Sequence, residues 1–421
     1  MYQPLRVAII GMGGFAGKHQ RSVKKLEEEG ELRLICTCDP CPENFTEKQE
    51  EWEYIRRGVR VFNDYLEMLN ACASELDMVT IPTPIHLHAR MHQACVERGL
   101  AVYLEKPPTV DWKELEGMIE TDSHSVFQTM VGFNFIVDPP RRLLKERLVK
   151  GDFGNVRQVA AYGMGPRSPV YYQRASWAGR LMMDDQLVLD SCISNAMGHV
   201  VHNALFWCGA EGLDRWGEPA ETEAEIYRAH SIQNGDTFFT RSRMKDNIEL
   251  RIGMTHACSG RSRQEEWVVC EDAVIRYHVQ NSVPGDPAYI IQWNNGHQDV
   301  GEPSKHDWVV ENMRTYGQYL RKQRERPLTT LADCRPFVRL NNLVYLAAGR
   351  INDIPAEFIR QDEQGFVEVA ELCESTVDLA ATGRLPSEQG RPWAVAGGGK
   401  AEVEDLHELR KVIQNMLTSP R

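Results

Sequence analysis

A glycine-rich loop near the start of the chain constrains the fold more than any other feature. The loop Gly11-Met12-Gly13-Gly14-Phe15-Ala16 follows the apolar run 5–10 and precedes a helical pattern that extends to about residue 29. Gly11 permits a tight turn, Gly13 allows a pyrophosphate to approach the backbone, and Ala16 lets the next helix pack closely. The helix N-terminus then favours the anion. This order predicts a dinucleotide-binding loop, and a tight turn without a ligand is the alternative.

Strand-like and helix-like segments alternate throughout the first third of the chain. Parallel strands that alternate with helices form a sheet covered on both faces. We therefore predict an α/β N-terminal Rossmann domain with a parallel, doubly wound sheet over residues 1–133. The predicted strands are 5–10, 32–38, 59–62, 77–81, 100–104 and about 125–133, and the predicted helices are 15–29, 43–56, 64–73, 86–98 and 111–120.

The pattern changes after Asn134, where β-branched and aromatic residues alternate with polar ones. This favours an α+β C-terminal domain over residues 134–385, with a large, mostly antiparallel open sheet. An open face of that sheet would pair with another copy, giving a homodimer or homotetramer. Residues 386–421 are predicted to form a linker and a C-terminal helix. The predicted strands are 156–163, 222–230, 236–243, 247–257, 265–271 and 273–279, and the predicted helices are 138–150, 195–207, 307–324, 330–348, 366–382 and 402–417.

Bulk composition excludes several classes of function. A formal net charge of −12 argues against a nucleic-acid partner. No apolar stretch approaches the ~18 residues that span a bilayer, and the N-terminus enters a strand directly, so we expect a cytoplasmic protein without a membrane partner. The eleven cysteines are expected to be free thiols. Cys36, Cys38 and Cys41 cluster, but no matching ligand pair follows, so no metal is predicted.

Asp39, at the end of the second predicted strand, sets the expected cofactor. A carboxylate there accepts hydrogen bonds from an adenosine ribose and repels a 2′-phosphate. It lies somewhat farther from the loop than the usual ~20 positions, and no Arg or Lys follows it. The sequence favours NAD over NADP. The alternatives are the use of both dinucleotides and a plain turn role for Asp39.

Two later strand ends carry further candidates at the same sheet edge. Ligands of such sheets bind at the carboxyl ends of the strands. Pro82, Thr83 and His86 follow one strand, and Glu105 and Lys106 follow the next. We predict that these residues contact the cofactor. His88, two residues after His86, is expected to be a solvated residue of the first helical turn.

Several motifs together resemble the glucose–fructose oxidoreductase, inositol dehydrogenase and MocA-type (Gfo/Idh/MocA) family. The resemblance covers about residues 5–385, and Glu105-Lys106-Pro107 is its most specific element. It implies an NAD-dependent oxidoreductase that acts on a hydroxyl of a sugar, sugar derivative or polyol. The other matching pieces are the glycine loop with His19, Thr83-Pro84-Ile85-His86-Leu87-His88, Val131-Gly132-Phe133-Asn134, Gly151 with Gly154, His199 before Leu205-Phe206-Trp207-Cys208-Gly209, and Arg326-Pro327-Leu328-Thr329-Thr330.

The resemblance also implies that Lys106 and His199 flank the nicotinamide and that Asn134 contributes to the cofactor site. Lys106 would hydrogen-bond the reacting hydroxyl, and His199 would take its proton. The family has Asp where this chain has Asn195 and His202. Asn195 can orient the imidazole but cannot stabilise an imidazolium as a carboxylate would, and Asp190 is a candidate substitute. A core position is the alternative for His199.

The segment 166–180 is rich in Arg, Tyr and Trp and is expected to contact the substrate. Aromatic rings stack on sugars and Arg binds hydroxyls or carboxylates, so Arg174 and Trp177 join Lys106, Asn195, His199 and His202 as substrate candidates. A lid or interface loop is the alternative. Two other functions are also open. One is an NAD-dependent glycosidase that oxidises a sugar transiently, and the other is a non-catalytic, cofactor-binding regulator.

Overall fold

The first sheet is the predicted parallel sheet. The computed structural model describes residues 3–279 and 285–418. All five strand pairings are parallel, in the order β3-β2-β1-β4-β5-β6. β1 lies between β2 and β4, so the chain reverses its direction of strand addition at the glycine loop. The strands are β1 Leu5–Ile10, β2 Leu32–Cys38, β3 Arg60–Phe62, β4 Met78–Ile81, β5 Ala101–Leu104 and β6 Met130–Val131.

Helices alternate with these strands, and one differs from its prediction. The helix expected over 43–56 is split, because Glu53 has a left-handed φ of 57°. The last strand is also shorter than expected. The helices are α1 Ala16–Glu28, α2 Thr46–Glu51, α3 Tyr54–Arg57, α4 Tyr65–Cys72, α5 His88–Val96 and α6 Trp112–Ser123.

The second large sheet has ten strands and is mostly antiparallel, as predicted. Two of its pairings are parallel: β7 with β12 near the centre, and β10 with β17 at one edge. The structure adds β8, β9 and β15 to β20 to the predicted strands. The remaining strands are β7 Val156–Met164, β8 Met182–Met183, β9 Gln186–Leu187, β10 Pro219–Arg228, β11 Thr237–Met244, β12 Glu249–Thr255, β13 Arg263–Cys270, β14 Ala273–His278, β15 Tyr289–Trp293, β16 Gln298–Gly301, β17 Asn352–Asp353, β18 Ile359–Gln361, β19 Val367–Val369 and β20 Lys400–Glu402.

Three of the later helices begin well after their predicted starts. The helix predicted from 330 begins at Arg335, after a 3-10 segment over Ala332–Cys334. The helix predicted from 366 begins at Leu372, because Val367–Val369 pairs with β18. The helix predicted from 402 begins at Leu409, after a 3-10 segment. The helices are α7 Pro139–Lys150, α8 Pro169–Tyr172, α9 Gly198–Cys208, α10 Trp308–Leu320, α11 Arg335–Ala348, α12 Leu372–Thr382, α13 Pro386–Gln389 and α14 Leu409–Thr418.

The chain forms two compact units that are discontinuous in sequence. Unit 1 comprises residues up to Thr109, Lys113–Asp138 and Lys305–Cys334, and unit 2 comprises the rest. α10 therefore belongs to unit 1, whereas the continuous boundaries predicted from the sequence placed it in the C-terminal domain. Within unit 1, Lys18 pairs with Asp307 at 2.6 Å, which ties α1 to the start of α10.

The glycine-rich segment before β20 is packed in unit 2 instead of forming the expected linker. β20 pairs with β10, and Trp393 is only 2% exposed. A Cβ at Gly398 would stand 2.6 Å from the Ala348 carbonyl oxygen. The glycines are therefore required by close backbone approach, which composition alone cannot distinguish from flexibility.

α12 covers part of one face of the large sheet. Ala380 packs against Ala160 and Tyr162 of β7. A Cβ at Gly253 of β12 would stand 3.0 Å from the Thr376 Cα. The centre of this face, at β7 and β12, is therefore covered by the chain itself. Within the described ranges, no helix is long and apolar enough to cross a membrane.

Candidate active site

The glycine loop has the geometry that a dinucleotide requires. Gly11 has a φ of 108°, and a Cβ there would stand 3.5 Å from the Thr83 side chain and 3.7 Å from Ala16. Gly14 has a φ of 52°, and nothing lies within 4 Å of where its Cβ would stand. Phe15 is 49% exposed at the start of α1. The loop is therefore open at Gly14 and Phe15, beside the helix N-terminus where a pyrophosphate would be held, whereas the Phe45 ring lies against Gly13, with 3.2 Å between that ring and the place of a Cβ.

Asp39 lies against this loop. Its carboxylate accepts hydrogen bonds from the Met12 N–H at 3.0 Å and the Cys41 N–H at 3.1 Å. The second contact is the turn interaction that was the alternative for this residue. Each carboxylate oxygen has a further lone pair, so Asp39 can hold the turn and still accept ribose hydroxyls.

The residues that follow β4 and β5 at the carboxyl edge of the sheet lie close together within unit 1. Thr83 is beside Gly11, Pro82 is buried and His86 is half-buried in the short turn after them. His88 is 1% exposed, so its predicted place as a solvated residue is wrong. Its ring contacts carbonyl oxygens of both strand ends.

Glu105 organises the end of β5. Its Oε1 contacts His19 Nε2 of α1 at 2.9 Å, and its Oε2 accepts from the Lys106 N–H at 3.1 Å. His19 and Glu105 are 0% and 5% exposed. A Cβ at Gly132 would stand 2.8 Å from Glu105 Oε1, so the glycine leaves room for the carboxylate. Lys106, which is half-buried, is thus fixed through its backbone, and Glu105 acts as its support more directly than as a cofactor contact.

Asn134 belongs to a buried polar cluster. Its Oδ1 accepts from the Tyr103 hydroxyl at 2.8 Å and from Asn312 Nδ2 at 2.8 Å. Asn312 also donates to Tyr103 at 3.1 Å. Asn312 is a residue that the sequence analysis missed, because α10 follows much later in the chain. With Asn134 only 3% exposed, its carbonyl end supports the β5 edge.

In unit 2, Asn195 and His199 lie where a π-helical turn leads into α9. Asn195 is in a π-helical turn, Cys192–Ala196, and His199 is the second residue of α9. Both are half-buried, so His199 is not a fully buried core residue. Asn195 Nδ2 donates to Asp190 Oδ1 at 2.8 Å. Asp190 was the candidate substitute for the family's Asp in the sequence analysis. In the structure it orients Asn195.

Asp190 also joins the predicted substrate loop. Its Oδ2 accepts from the Gly179 N–H at 2.8 Å and pairs with Arg174 at 3.3 Å. The Arg174 guanidinium lies over the Tyr171 ring at 3.7 Å and the Trp177 ring at 4.7 Å. These rings and Asp190 fix Arg174. A cavity of about 670 Å³ adjoins the loop, lined by residues that include Tyr172, Arg180, Ser231 and Gln233.

His202 is a core residue of unit 2, which corrects its assignment to the substrate. Its side chain is 0% exposed and packs against Trp216 and Phe337, with ring centroids 5.1 and 6.3 Å away. Burial and the Arg141 guanidinium lower its pKa well below the usual range. The spacing correctly placed His202 about one turn after His199 on the same helix. Helical spacing alone does not reveal which side chain the core encloses.

The end of α9 is fixed by a buried lysine. Lys145 Nζ donates to the carbonyl oxygens of Gly209 at 2.6 Å and Arg215 at 3.2 Å, and also to that of Phe206. Burial lowers the pKa of Lys145 to about 7. A cation at a helix C-terminus satisfies carbonyl groups that have no partner within the helix. α9 is thus held at the end opposite His199.

Sequence comparisons identify the first third of the chain. Residues 5–133 match the model of an oxidoreductase family with an NAD-binding Rossmann fold, the Gfo/Idh/MocA family. Inositol 2-dehydrogenase of Rhizobium meliloti (strain 1021) is 29% identical over 165 residues, which cover 39% of this chain and 47% of the relative. A dTDP-3,4-didehydro-2,6-dideoxy-alpha-D-glucose 3-reductase of Actinomadura kijaniata is 26% identical over 187 residues, which cover 42% and 52%. The chain thus matches about half the length of these relatives.

Solved structures share the fold over most of the chain. The WlbA dehydrogenase from Chromobacterium violaceum, in complex with NADH and UDP-GlcNAcA, has a TM-score of 0.65 and 20% identity, covering 82% of this chain and 94% of that one. An oxidoreductase from Agrobacterium radiobacter, in complex with NAD+, L-tartaric acid and magnesium, has a TM-score of 0.65 and 16% identity, covering 82% and 96%. Residues 5–133, which carry the glycine loop and the Glu105-Lys106 edge, thus match the NAD-binding Rossmann domain of the Gfo/Idh/MocA oxidoreductase family.

Proposed function

We propose that the protein is an NAD-dependent oxidoreductase that transfers a hydride between a hydroxyl-bearing carbon of a sugar, sugar derivative or polyol and the nicotinamide. The observation that carries the proposal is the Lys106 backbone, fixed by the buried Glu105–His19 pair at the strand edge beside the NAD-binding loop. A lysine held beside a nicotinamide can act on the reacting hydroxyl. A cofactor-binding regulator would need neither Lys106 nor His199.

In the proposed reaction, NAD supplies the hydride acceptor. The Lys106 ammonium donates a hydrogen bond to the substrate hydroxyl and stabilises the developing alkoxide. A ring nitrogen of His199 accepts the hydroxyl proton, since an imidazole is a suitable general base near neutral pH. Asn195, held by Asp190, orients the ring of His199 without supplying a charge. Glycine-loop N–H groups, Asp39 and Thr83 would hold the dinucleotide.

The substrate class rests on the loop 166–180 and on the relatives. Arg174 and Trp177 offer a guanidinium and an aromatic face, which suit a hydroxylated ring or a carboxylate. The adjoining cavity of about 670 Å³ is within the range of small-molecule pockets. Relatives include an inositol 2-dehydrogenase and a dTDP-sugar 3-reductase, whose names give a cyclic polyol and a nucleotide-linked sugar as substrates.

A substrate panel tests the proposal. Purified protein with NAD is offered inositols, aldoses, sugar acids, nucleotide sugars and matched glycosides, and the NADH absorbance band is followed. We expect net NADH formation with at least one free polyol or sugar derivative. Release of an aglycone without net NADH would instead establish the glycosidase, and NAD binding without either reaction would establish the regulator.

We predict that Asp39 sets the preference for NAD over NADP. Replacing Asp39 with Ala removes a ribose acceptor and the repulsion of a 2′-phosphate. Titration of both dinucleotides should show that the ratio of their Kd values shifts toward NADP by at least about tenfold, equivalent to about 1.4 kcal/mol. Glu43→Ala, on the exposed 3-10 segment after Asp39, serves as the control. Equal binding of NAD and NADP by the wild type would contradict the prediction.

We further propose that the part of the large sheet beyond α12 joins two copies of the chain. The opposite face carries the buried Val268, Ile275 and Ile291, whereas the apolar side chains on the face that carries Trp267 are half-buried or exposed. They are Val269, Val274 and Ile290, with Val300 at 59% exposure on the edge strand. Partly exposed apolar side chains grouped on one sheet face are typical of an association site.

The mass in solution tests this assembly. The wild type should be a dimer or tetramer at micromolar concentration by light scattering, and Val274→Glu should shift it toward the monomer, because a carboxylate would be buried in the contact. Val126→Glu, at a position 82% exposed in unit 1, should leave the mass unchanged. A monomeric wild type would contradict the prediction.

A further inference from the structure

We propose that His88 is a positioning residue that ties the Lys106 loop to the Thr83 loop and so sets where the Lys106 side chain lies. The inference rests on the proposed function, because it assigns Lys106 to the reacting hydroxyl. It adds a residue that does not touch substrate or cofactor and acts only through the two strand-end loops.

The two loops leave the sheet side by side. β4 and β5 are neighbouring parallel strands, with Ile81 opposite Leu104. Pro82-Thr83-Pro84 follows the first strand, and Glu105-Lys106-Pro107-Pro108 follows the second. Prolines in both loops remove backbone N–H donors, so these turns have fewer means of hydrogen bonding to each other directly.

The His88 imidazole bridges the loops. Its Nε2 lies 2.9 Å from the Thr83 carbonyl oxygen, and its Nδ1 lies 3.0 Å from that of Pro107 and 3.3 Å from that of Pro108. The side chain is 1% exposed. One ring thus contacts the residue beside Gly11 on one side and the residue directly after Lys106 on the other.

The two sides of the ring are not equivalent chemically. A neutral imidazole has one N–H and donates to one side, while the imidazolium donates to both. Burial lowers the pKa of His88 below its usual range, and the carbonyl oxygens of Thr83 and Pro107 and the nearby Glu105 carboxylate oppose this shift only in part. Carbonyl oxygens can only accept, so removing the donor on one side releases that loop and leaves its carbonyl without a partner.

His92 provides a matched comparison within the same helix. It lies one turn after His88 on α5 and is 0% exposed. Its Nε2 contacts Thr129 Oγ1 at 2.9 Å, away from both loops. A purely structural buried histidine would respond to substitution as His92 does, whereas a positioning residue would affect Lys106 selectively.

Amide substitutions separate the two ties. In Asn the amide nitrogen occupies roughly the place of Nδ1, so H88N keeps the tie to Pro107 and loses the tie to Thr83. In Gln the amide nitrogen occupies roughly the place of Nε2. H88Q therefore keeps the contact with the Thr83 carbonyl oxygen and loses the contact with the Pro107 carbonyl oxygen in the Lys106 loop. H92N and H92Q are the controls. The variants are compared for Tm, Kd of NAD, kcat and KM, and the rate at which an acylating reagent labels Lys106, read by peptide mass spectrometry well below the lowest Tm.

We expect H88Q to lower kcat by at least about tenfold, since small displacements of a catalytic group are costly. It should also raise the Lys106 labelling rate by about fivefold or more, while the Kd of NAD stays within about threefold of the wild type. H88N should retain kcat and labelling within about threefold, and the His92 variants should change only Tm. If H88N is impaired as much as H88Q, or both behave as the His92 variants do, the inference is wrong. If no substrate is turned over by the wild type, the proposed function fails, and the labelling rates alone decide the role of His88.

Discussion

Lys106→Met should lower kcat by about 10²–10⁴-fold and leave the Kd of NAD nearly unchanged. Methionine keeps much of the apolar stem of lysine but removes the ammonium that would stabilise the alkoxide. The backbone of residue 106 is held by Glu105, so the loop should keep its shape. Steady-state kinetics on the best substrate of the panel, with calorimetric titration of NAD, measure both quantities.

His199→Asn should reduce turnover over the same range, because it removes the proton acceptor. Asn195→Ala should cost less, since in the proposed mechanism Asn195, which is held by Asp190, orients the ring and exchanges no proton. Lys411→Met, at a side chain that is 74% exposed, is the matched control and should leave kcat unchanged. Full activity of either Lys106→Met or His199→Asn would contradict the assigned roles.

Glu105→Ala should lower the free energy of unfolding of unit 1 by about 2–4 kcal/mol, because it leaves a buried ring nitrogen and a backbone N–H without their acceptor. Both partners are almost fully buried, so water cannot replace the carboxylate at no cost. The measurement is urea unfolding, followed by a spectroscopic signal that reports on unit 1.

Glu105→Gln is the informative companion variant, since the amide keeps the shape and one acceptor oxygen. It should destabilise the protein less than the alanine variant does. Glu408→Ala removes a surface pair with Lys411 and should leave the free energy of unfolding nearly unchanged, because exposed ion pairs contribute little. Equal stability of the wild type and Glu105→Ala would show that the buried pair does not hold the β5 edge.

The fold of the N-terminal part could be predicted because its signals are local. A glycine loop between β1 and α1, and apolar runs separated by helical patterns, are both visible in short windows of sequence. The place of α10 could not be predicted in this way. It joins unit 1 through the contacts of Lys18 with Asp307 and of Asn134 with Asn312, residues far apart in the chain.

The candidate site was predictable in its residue types and less so in their environments. Asp39, Thr83 and Lys106 follow strand ends, and parallel strands bring their ends to one edge. His88 and His202 were misplaced because burial depends on which tertiary neighbours enclose a side chain. His88 is enclosed by two proline-rich loops, and His202 by Trp216 and Phe337.

Direct transfer of a hydride from a substrate carbon to NAD is the central claim, and isotope transfer tests it most directly. A substrate found in the panel is prepared with deuterium on the carbon that bears the reacting hydroxyl, and the reduced dinucleotide is recovered and weighed by mass spectrometry. The account predicts one deuterium in each molecule of NADH formed by the wild type, and almost no product from Lys106→Met or His199→Asn. NADH without deuterium, or deuterium retained in a product released without net NADH, would contradict it.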